Sequence, residues 1–243
     1  MSNNSFGESG LIEAAARSLV RSRPIASLAT LESHTGYPYA SLVTVATETD
    51  GSPIILISSL AWHTRNLESD TRASILFCAD AREGDPLNLG RVSLMGRAER
   101  TQDPRARQRF LARHPRASFY ADFTDFGFWR LQVEQAHYVG GFGRITTLSA
   151  AELLPALGTA ADWNAGIDDA IAAANDSEAN LIADLAAAAT SGTAVEGWRI
   201  GACDPDGCDL LRGEDSLHLQ FAAPLASPAE IPSALAALSK PAA

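Results

Sequence analysis

The spacing of apolar residues over the first 148 positions predicts one helix followed by a series of short strands. Apolar residues recur at helical spacing between Gly10 and Arg23, with Ser9 placed to cap the helix and Pro24 to end it. Short apolar runs separated by turn residues then predict strands over 25–31, 39–47, 53–57, 73–79, 91–100 and 129–139. Because few helices lie between these strands, the pattern favours an antiparallel β-barrel over a βαβ sheet.

The segments between the strands carry helix-start and turn signals. A short helix is predicted over 61–69, and Asp103-Pro104 is typical of a capped helix start with proline at the first helical position. The polar stretch 80–90 predicts a loop. The last strand ends at Gly140-Gly141-Phe142-Gly143, which is too short for a dinucleotide fingerprint and indicates a tight turn with close backbone approach.

The composition changes after residue 148 and predicts a second, smaller domain. Alanine-rich sequence over 163–189 predicts helices. Strand patterns follow over 194–203, 208–212 and 216–221. Ser227-Pro228 then opens a last helix. We therefore expect an α+β protein, with an antiparallel barrel domain over 1–148 and a small α+β domain over 149–243.

Net charge and hydropathy argue against two classes of partner. The 243 residues carry a formal net charge of -10 at pH 7. Because nonspecific nucleic-acid affinity comes from clustered Lys and Arg, we expect no nucleic-acid partner. The chain has no run of 18 apolar residues to span a membrane, and its first residues show no secretory signal. A cytoplasmic protein without a membrane partner is the expectation.

The three cysteines, Cys78, Cys203 and Cys208, indicate a reducing compartment, because their odd number and irregular spacing form no disulfide framework. Cys203 and Cys208 bracket the sequence Asp-Pro-Asp-Gly. A metal site at this pair would need two more nearby ligands, whereas Pro-Asp-Gly is typical of a turn. A hairpin turn is therefore favoured over a metal site, and no metal is predicted.

The densest polar cluster of the barrel domain spans 58–66, where a predicted strand ends and a short helix begins. Its candidate cofactor-binding residues are Ser58, Ser59, His63, Thr64, Arg65 and Asn66. Helix-start amides, hydroxyls and a guanidinium fork suit a phosphate, because the helix dipole and charge-assisted hydrogen bonds add. The alternative is a solvated helix start with Arg65 paired to Glu68 or Asp70, and the residues alone do not separate the two.

Arg97 is a seventh candidate, since it could reach the same ligand from a neighbouring strand. The alternative places it on a solvated barrel exterior. No G-x-S-x-G, H-E-x-x-H or P-loop motif occurs, and the five histidines are scattered. The sequence therefore nominates no catalytic acid or base.

The segment 60–67, Leu-Ala-Trp-His-Thr-Arg-Asn-Leu, with the apolar run 73–77, resembles the flavin-binding segment of the pyridoxamine 5'-phosphate oxidase-related split-barrel family. The segments 119–123, 129–131 and 137–143 resemble that family's heme-utilisation branch, as does a small α+β domain after the barrel. The resemblance covers nearly the whole chain. It implies a six-stranded split barrel that forms a homodimer, with flavin mononucleotide (FMN) in a cleft at the subunit interface.

By position, the resemblance assigns a role to each of the seven candidates. It gives the phosphate to His63 and Arg65, the strand end beside the flavin to Ser58 and Ser59, the turn to Thr64 and Asn66, and a wall of the cleft to Arg97. It implies an FMN-binding flavoprotein, an oxidoreductase with an unidentified small-molecule substrate.

Two departures from the family pattern limit this expectation. The second strand carries no basic residue over 39–44, unlike the vitamin-B6 oxidases, which argues against that activity. Many heme-degrading members have Asn-x-x-His opening a helix of the second domain, where this chain has Glu178 after Asn175. Because a carboxylate is a poor replacement for imidazole on heme iron, heme ranks below FMN, with His218 as an alternative ligand. A cofactor-free dimeric binding module is the third hypothesis.

Overall fold

The structure, a computed structural model, describes residues 5–80, 86–141, 144–154 and 157–239. Three parts of the predicted features lie outside the described residues. They are residues 81–85 of the predicted loop, Phe142 and Gly143 of the glycine-rich turn, and residues 155–156 in the connection between the domains.

Among the described residues, seven strands form the first sheet, and six of them close into an antiparallel barrel. They are β1 (Ile25–Leu31), β2 (Pro38–Thr47), β3 (Pro53–Ser58), β4 (Arg72–Cys78), β5 (Arg91–Arg100), β6 (Phe126–Val139) and β7 (Ile145–Ser149). The order β3-β2-β1-β4-β5-β6-β7 closes because β3 also pairs with β6. The predicted fold is confirmed, and β7 adds an edge strand that the sequence pattern did not indicate.

The barrel strands follow the two-residue alternation of a sheet with one buried face. In β4, Ala73, Ile75 and Phe77 lie in the barrel core, while the residues between them are half-buried on the outside. The helix α1 (Ser5–Ser22) packs on the same core. It begins well before Gly10, so the predicted cap at Ser9 is wrong: no proline interrupts the preceding residues, and the helix continues through them.

Two short helices lie where the sequence predicts them. They are α2 (Trp62–Ser69), between β3 and β4, and α3 (Pro104–Arg113), between β5 and β6. The Asp103 side chain accepts a hydrogen bond from the Arg105 amide, so the predicted cap of α3 is confirmed. Because α2 follows the end of β3 directly, it sets the position of the polar cluster.

The longest strand, β6, contains one bulge opposite β5. Met95 pairs with Gln135, whereas the next residue, Gly96, pairs with Val133, so β6 has one residue more than β5 at this point. A Cβ on Gly96 would lie 1.9 Å from the carbonyl oxygen of Gln132. Glycine is therefore required for the two strands to approach each other at the bulge.

A second core belongs to the C-terminal part of the chain. The short helix α4 (Ala150–Leu153) still packs on the barrel core through Leu153. The sheet of the second core has the order β10-β9-β8, and its elements are α5 (Leu157–Ser177), α6 (Ala179–Thr190), β8 (Arg199–Asp204), β9 (Gly207–Arg212), β10 (Asp215–Gln220) and α7 (Ile231–Leu238). Trp163, Ile182 and Leu210 are fully buried in this core. No helix among the described residues has the length and apolar content needed to span a bilayer.

The predicted hairpin turn between the last two cysteines is present. Asp204 pairs with Gly207 at the turn, and Cys203 pairs with Cys208 in the next position, both as buried free thiols. Within the described ranges, no group of His, Cys, Asp and Glu side chains is arranged to hold a metal ion. The strand β8 begins at Arg199, five residues later than predicted, because the preceding residues form an exposed turn.

Buried ion pairs join the second core to the barrel. Asp204 Oδ2 lies 2.7 Å from Arg109 Nη2 and 3.1 Å from Arg21 Nη1. Asp209 pairs with Arg113. The three arginines come from α1 and α3, and both aspartates come from the β8–β9 hairpin. Because all five side chains are almost fully buried, the contact depends on charge pairing as well as on apolar packing.

Candidate functional site

The turn between β3 and α2 is fixed by a residue that the sequence pattern did not nominate. The Ser58 hydroxyl donates a 2.6 Å hydrogen bond to Asp125 Oδ2 and accepts one of 3.1 Å from the Leu60 amide. The Ser59 amide donates to the Asp125 carbonyl oxygen at 2.7 Å. Asp125 therefore ties the turn to the segment that precedes β6.

Thr64 and Asn66 hold α2 onto the barrel. The Thr64 hydroxyl donates to the Ser58 carbonyl oxygen at 2.6 Å, and the Asn66 side-chain amide donates to the Thr30 hydroxyl at 3.0 Å. Both side chains are almost fully buried. They position the turn from inside the protein, while Ser58, Ser59 and His63 are half-buried and Arg65 is exposed.

His63 is half-buried, and one of its ring nitrogens is already engaged. Nδ1 lies 3.0 Å from the hydroxyl oxygen of Ser41 on β2. Nε2, on the other side of the ring, has no hydrogen-bond partner among the described residues. Burial lowers the pKa of His63 below its ordinary value, because the charged ring loses hydration. The imidazole is therefore neutral at pH 7, which suits a metal or a hydrogen-bond donor better than a phosphate.

Arg65 and the start of α2 supply the positive side of the site. The exposed Arg65 donates from Nη2 to the Leu60 carbonyl oxygen at 2.7 Å. Glu68 and Asp70, its alternative partners in the sequence, pair with other arginines. The helix has no side-chain cap and no acidic residue in its first turn. Its first amides and the guanidinium together attract an anionic group.

Arg97 lies apart from the turn, on the outer face of β5. Its Nε is 3.4 Å from Glu134 Oε1, and its Nη1 donates to the Thr71 hydroxyl at 3.4 Å. The neighbouring position on β4 is Arg72. The structure therefore brings together six of the seven predicted site residues and places Arg97 on the half-exposed barrel exterior.

Exposed aromatic side chains lie at the start of α2 and in the segment that precedes Asp125. Trp62, the first residue of α2, is 58% exposed, and its ring lies 5.7 Å from that of Tyr39. Phe119 and Phe123, which are 80% and 47% exposed, pack edge to face with ring centroids 5.7 Å apart. Asp125 ties this phenylalanine segment to the turn. Such a surface suits a flat apolar ligand or another protein surface.

Two residues of the second domain that entered the comparison with heme-degrading proteins, His218 and Asn175, have structural roles. His218 is buried, with Nδ1 2.9 Å from Asp209 Oδ1 at the contact between the two cores. The Asn175 side chain exchanges hydrogen bonds of 2.7 and 3.0 Å with the backbone of Ile200 and so holds α5 to β8. The alternative of an iron ligand at His218 is wrong, because a porphyrin has no access to the buried ring.

Solved structures of other proteins are similar to this chain over the barrel and over the C-terminal part. A solved protein of unknown function from Agrobacterium tumefaciens is 31% identical, with 95% of this chain and 94% of that chain covered and a TM-score of 0.73. A heme-binding protein from Mycobacterium smegmatis is also 31% identical, with 94% and 95% of the two chains covered and a TM-score of 0.54.

A third relative is the chloroplastic non-canonical heme oxygenase HOZ of Arabidopsis thaliana. It is 37% identical over 113 residues, which are 45% of this chain and 34% of HOZ. The match therefore spans about a third of that protein's length. The family profile described as "CREG, beta-barrel" matches residues 12–154. Since that match covers more than half of the sequence, the chain belongs to the CREG β-barrel family.

Proposed function

We propose that this protein binds heme, as cargo or substrate, at the turn between β3 and α2. The observation that carries the proposal is the half-buried, neutral ring of His63, whose Nδ1 is engaged by Ser41. When Nδ1 keeps its proton and donates to the Ser41 hydroxyl, Nε2 has a lone pair suited to iron. A hydrogen bond at the other ring nitrogen is how metal-binding histidines are commonly oriented. The heme-binding and heme-oxygenase relatives support the proposal.

Other exposed side chains of the described residues suit the rest of a porphyrin. Trp62, Phe119 and Phe123 offer exposed apolar faces against which a flat macrocycle loses contact with water. Arg65 and the uncapped start of α2 offer a positive site for a propionate. When bound, heme supplies the iron-centred chemistry. The chain's own residues orient the macrocycle, exclude water from one face and hold its carboxylate.

Hemin titration followed in the Soret region tests this proposal. We expect saturable binding to the wild-type protein and a shifted, weakened Soret band for His63→Ala. His137→Ala is the matched control, because His137 is an exposed histidine on the far part of β6, where its ring lies 3.3 Å from the Thr147 hydroxyl oxygen. Unchanged hemin binding by His63→Ala, or no uptake by the wild type, would overturn the proposal.

FMN is the second candidate ligand, and the uncapped start of α2 favours it. The first-turn amides, Arg65 and the Ser59 hydroxyl form a donor set that suits a phosphate as well as a propionate. Titration with FMN, followed by quenching of flavin fluorescence, separates the two ligands. Binding of FMN that Arg65→Gln weakens and His63→Ala does not would favour a flavoprotein. Uptake of neither ligand would leave the cofactor-free binding module.

We further propose that the protein is a homodimer. The outer face of the β1–β2 pair places the exposed side chains of Ile25 and Leu42 beside the small residues Ser27 and Ala29. A sheet face with exposed aliphatic residues is typical of a protein contact. Sedimentation equilibrium should give twice the chain mass, and Leu42→Asp should shift the protein to monomer. A monomeric wild type would contradict this proposal.

A further inference from the structure

A cavity of about 440 Å³ lies at the opposite end of β6 from the candidate heme site. Its walls come from α1 on one side and from β6 and β7 on the other, and its lining residues are Leu11, Ile12, Ala15, Tyr138, Arg144, Ile145 and Thr146. Tyr138 is twelve residues beyond Phe126, which pairs with the end of β3. At about 3.3 Å per strand residue, roughly 40 Å of strand separate the two places.

The walls of this groove are aliphatic and partly open. Ile12 and Ala15 are half-buried along its length, whereas Leu11 and Ile145 are 72% and 61% exposed. Leu11 and Ile145 lie on opposite sides of the cavity and expose much apolar surface to water. Covering that surface with an apolar ligand would be favourable. The volume lies within the range typical of small-molecule sites. The apolar part of a ligand would therefore lie between α1 and β7.

Polar groups without partners stand at one end of the groove. The Tyr138 ring lies in the barrel core, while its hydroxyl borders the cavity, retains contact with solvent and makes no hydrogen bond with the described residues. The Arg144 guanidinium makes no ion pair and no hydrogen bond within that same part of the chain, and Thr146 adds a second hydroxyl. Most arginines of this acidic protein are ion-paired, so Arg144 is available for an anion from outside.

The glycine-rich turn explains how the polar end is built. A Cβ on Gly140 would lie 2.9 Å from the Tyr138 hydroxyl oxygen and 2.8 Å from the ring, so glycine makes room for the tyrosine. Gly141 has φ +98°, a conformation that favours glycine, and a Cβ there would meet the Asn88 carbonyl oxygen at 3.2 Å. The Gly140 amide then donates to the Arg144 carbonyl oxygen at 2.8 Å. The two glycines thus shape the turn that joins Tyr138 to Arg144, and both side chains line the cavity.

We propose that this groove binds the carboxylate of an aliphatic acid, independently of the heme site. The alkyl chain would lie along Leu11, Ile12 and Ile145, and the carboxylate would accept hydrogen bonds from Arg144 and Tyr138. A guanidinium fork matches the two oxygens of a carboxylate, and an uncharged head group would leave the arginine unpaired.

Isothermal titration calorimetry with decanoate at pH 8 tests the proposal. We expect saturable binding of one decanoate per chain and much weaker binding of decanol and of decyltrimethylammonium. Arg144→Gln should weaken decanoate binding about tenfold or more, since it removes a charge-assisted contact. Tyr138→Phe should weaken it by about two- to tenfold, since it removes one neutral hydrogen bond.

Arg199→Gln is the matched control, because Arg199 is an exposed arginine at the start of β8 and its loss changes the net charge equally. It should bind decanoate like the wild type. Leu11→Asp, a change at a highly exposed position, should weaken binding without affecting folding. Equal affinities of Arg144→Gln and Arg199→Gln, or decanol binding as tightly as decanoate, would overturn the proposal.

Discussion

Asp204→Asn should destabilise the protein strongly, because Asp204 neutralises two buried arginines. Its Oδ2 lies 2.7 Å from Arg109 Nη2 and 3.1 Å from Arg21 Nη1. Its Oδ1 accepts from the amides of Asp206 and Gly207 at 3.0 and 3.1 Å, which an asparagine oxygen can still do. The substitution therefore removes the charge and leaves the turn intact. Removing one member of a buried ion pair costs about 3–5 kcal/mol, because the partner charge remains buried.

Urea unfolding at pH 7, followed by tryptophan fluorescence, measures this loss. Trp129 reports on the barrel core, and Trp163 reports on the second core. The control is Asp215→Asn, whose partner Arg212 lies 3.3 Å away in an exposed pair. That change should cost less than about 1 kcal/mol. A loss below about 1 kcal/mol for Asp204→Asn as well would refute the reasoning that the buried pairs hold the two cores together.

Three further predictions concern titration and packing. His63 should titrate below pH 6.5 by NMR, and since its folded pKa is lowered, its contribution to stability should be lost as the pH falls below 6.5. The hydrogen bonds from Arg72 lower the pKa of Asp70 from 3.8 to about 2. The stabilising contribution of Asp70 is therefore present above pH 3.8 and is lost as the pH falls through about 2. In the variant Arg72→Gln, the pKa of Asp70 measured by carboxyl NMR should return towards 3.8. Gly96→Ala should cost at least about 2 kcal/mol in urea unfolding, because its Cβ meets backbone at 1.9 Å. Gly166→Ala, in a helix with nothing within 4 Å, should instead stabilise by about 0.5–1 kcal/mol, and the opposite order would contradict the packing argument.

Local sequence patterns were sufficient for the barrel and for most of the turn. The alternation that places Ile75 and Phe77 inside, and the cap at Asp103, are properties of neighbouring residues and could be read directly. The strand β7 has only five residues, Ile145–Ser149, and its pairing with β6 defines it better than its own pattern does. The strand β7 forms because it pairs with β6, and this pairing is not visible in the sequence pattern of residues 145–149.

The residues that fix the candidate site could not be predicted, because they are distant in sequence. Ser41 is 22 residues from His63, and Asp125 is 67 residues from Ser58. No sequence motif surrounds either residue. A single hydroxyl or carboxylate that hydrogen bonds to a distant side chain can lie at any spacing from it along the chain, so the sequence alone does not reveal the contact. For Arg97, strand alternation predicts a position outside the core. The alternation does not predict that Arg97 pairs with Glu134. FMN, the homodimer and a cytoplasmic location stay predictions.

The bulge in β6 divides that strand into two segments of opposite parity. Before it, the odd-numbered Trp129 and Leu131 face the barrel core, and after it, the even-numbered Ala136 and Tyr138 do so. Deleting the single residue Glu134 would remove the bulge and restore a regular ladder, and Tyr138 would keep its pairing with Val92 and its place in the core, because the deleted residue is the one that changes the parity. One extra residue therefore changes which sequence positions along β6 face the core, while the pairing with β5 continues on both sides of it.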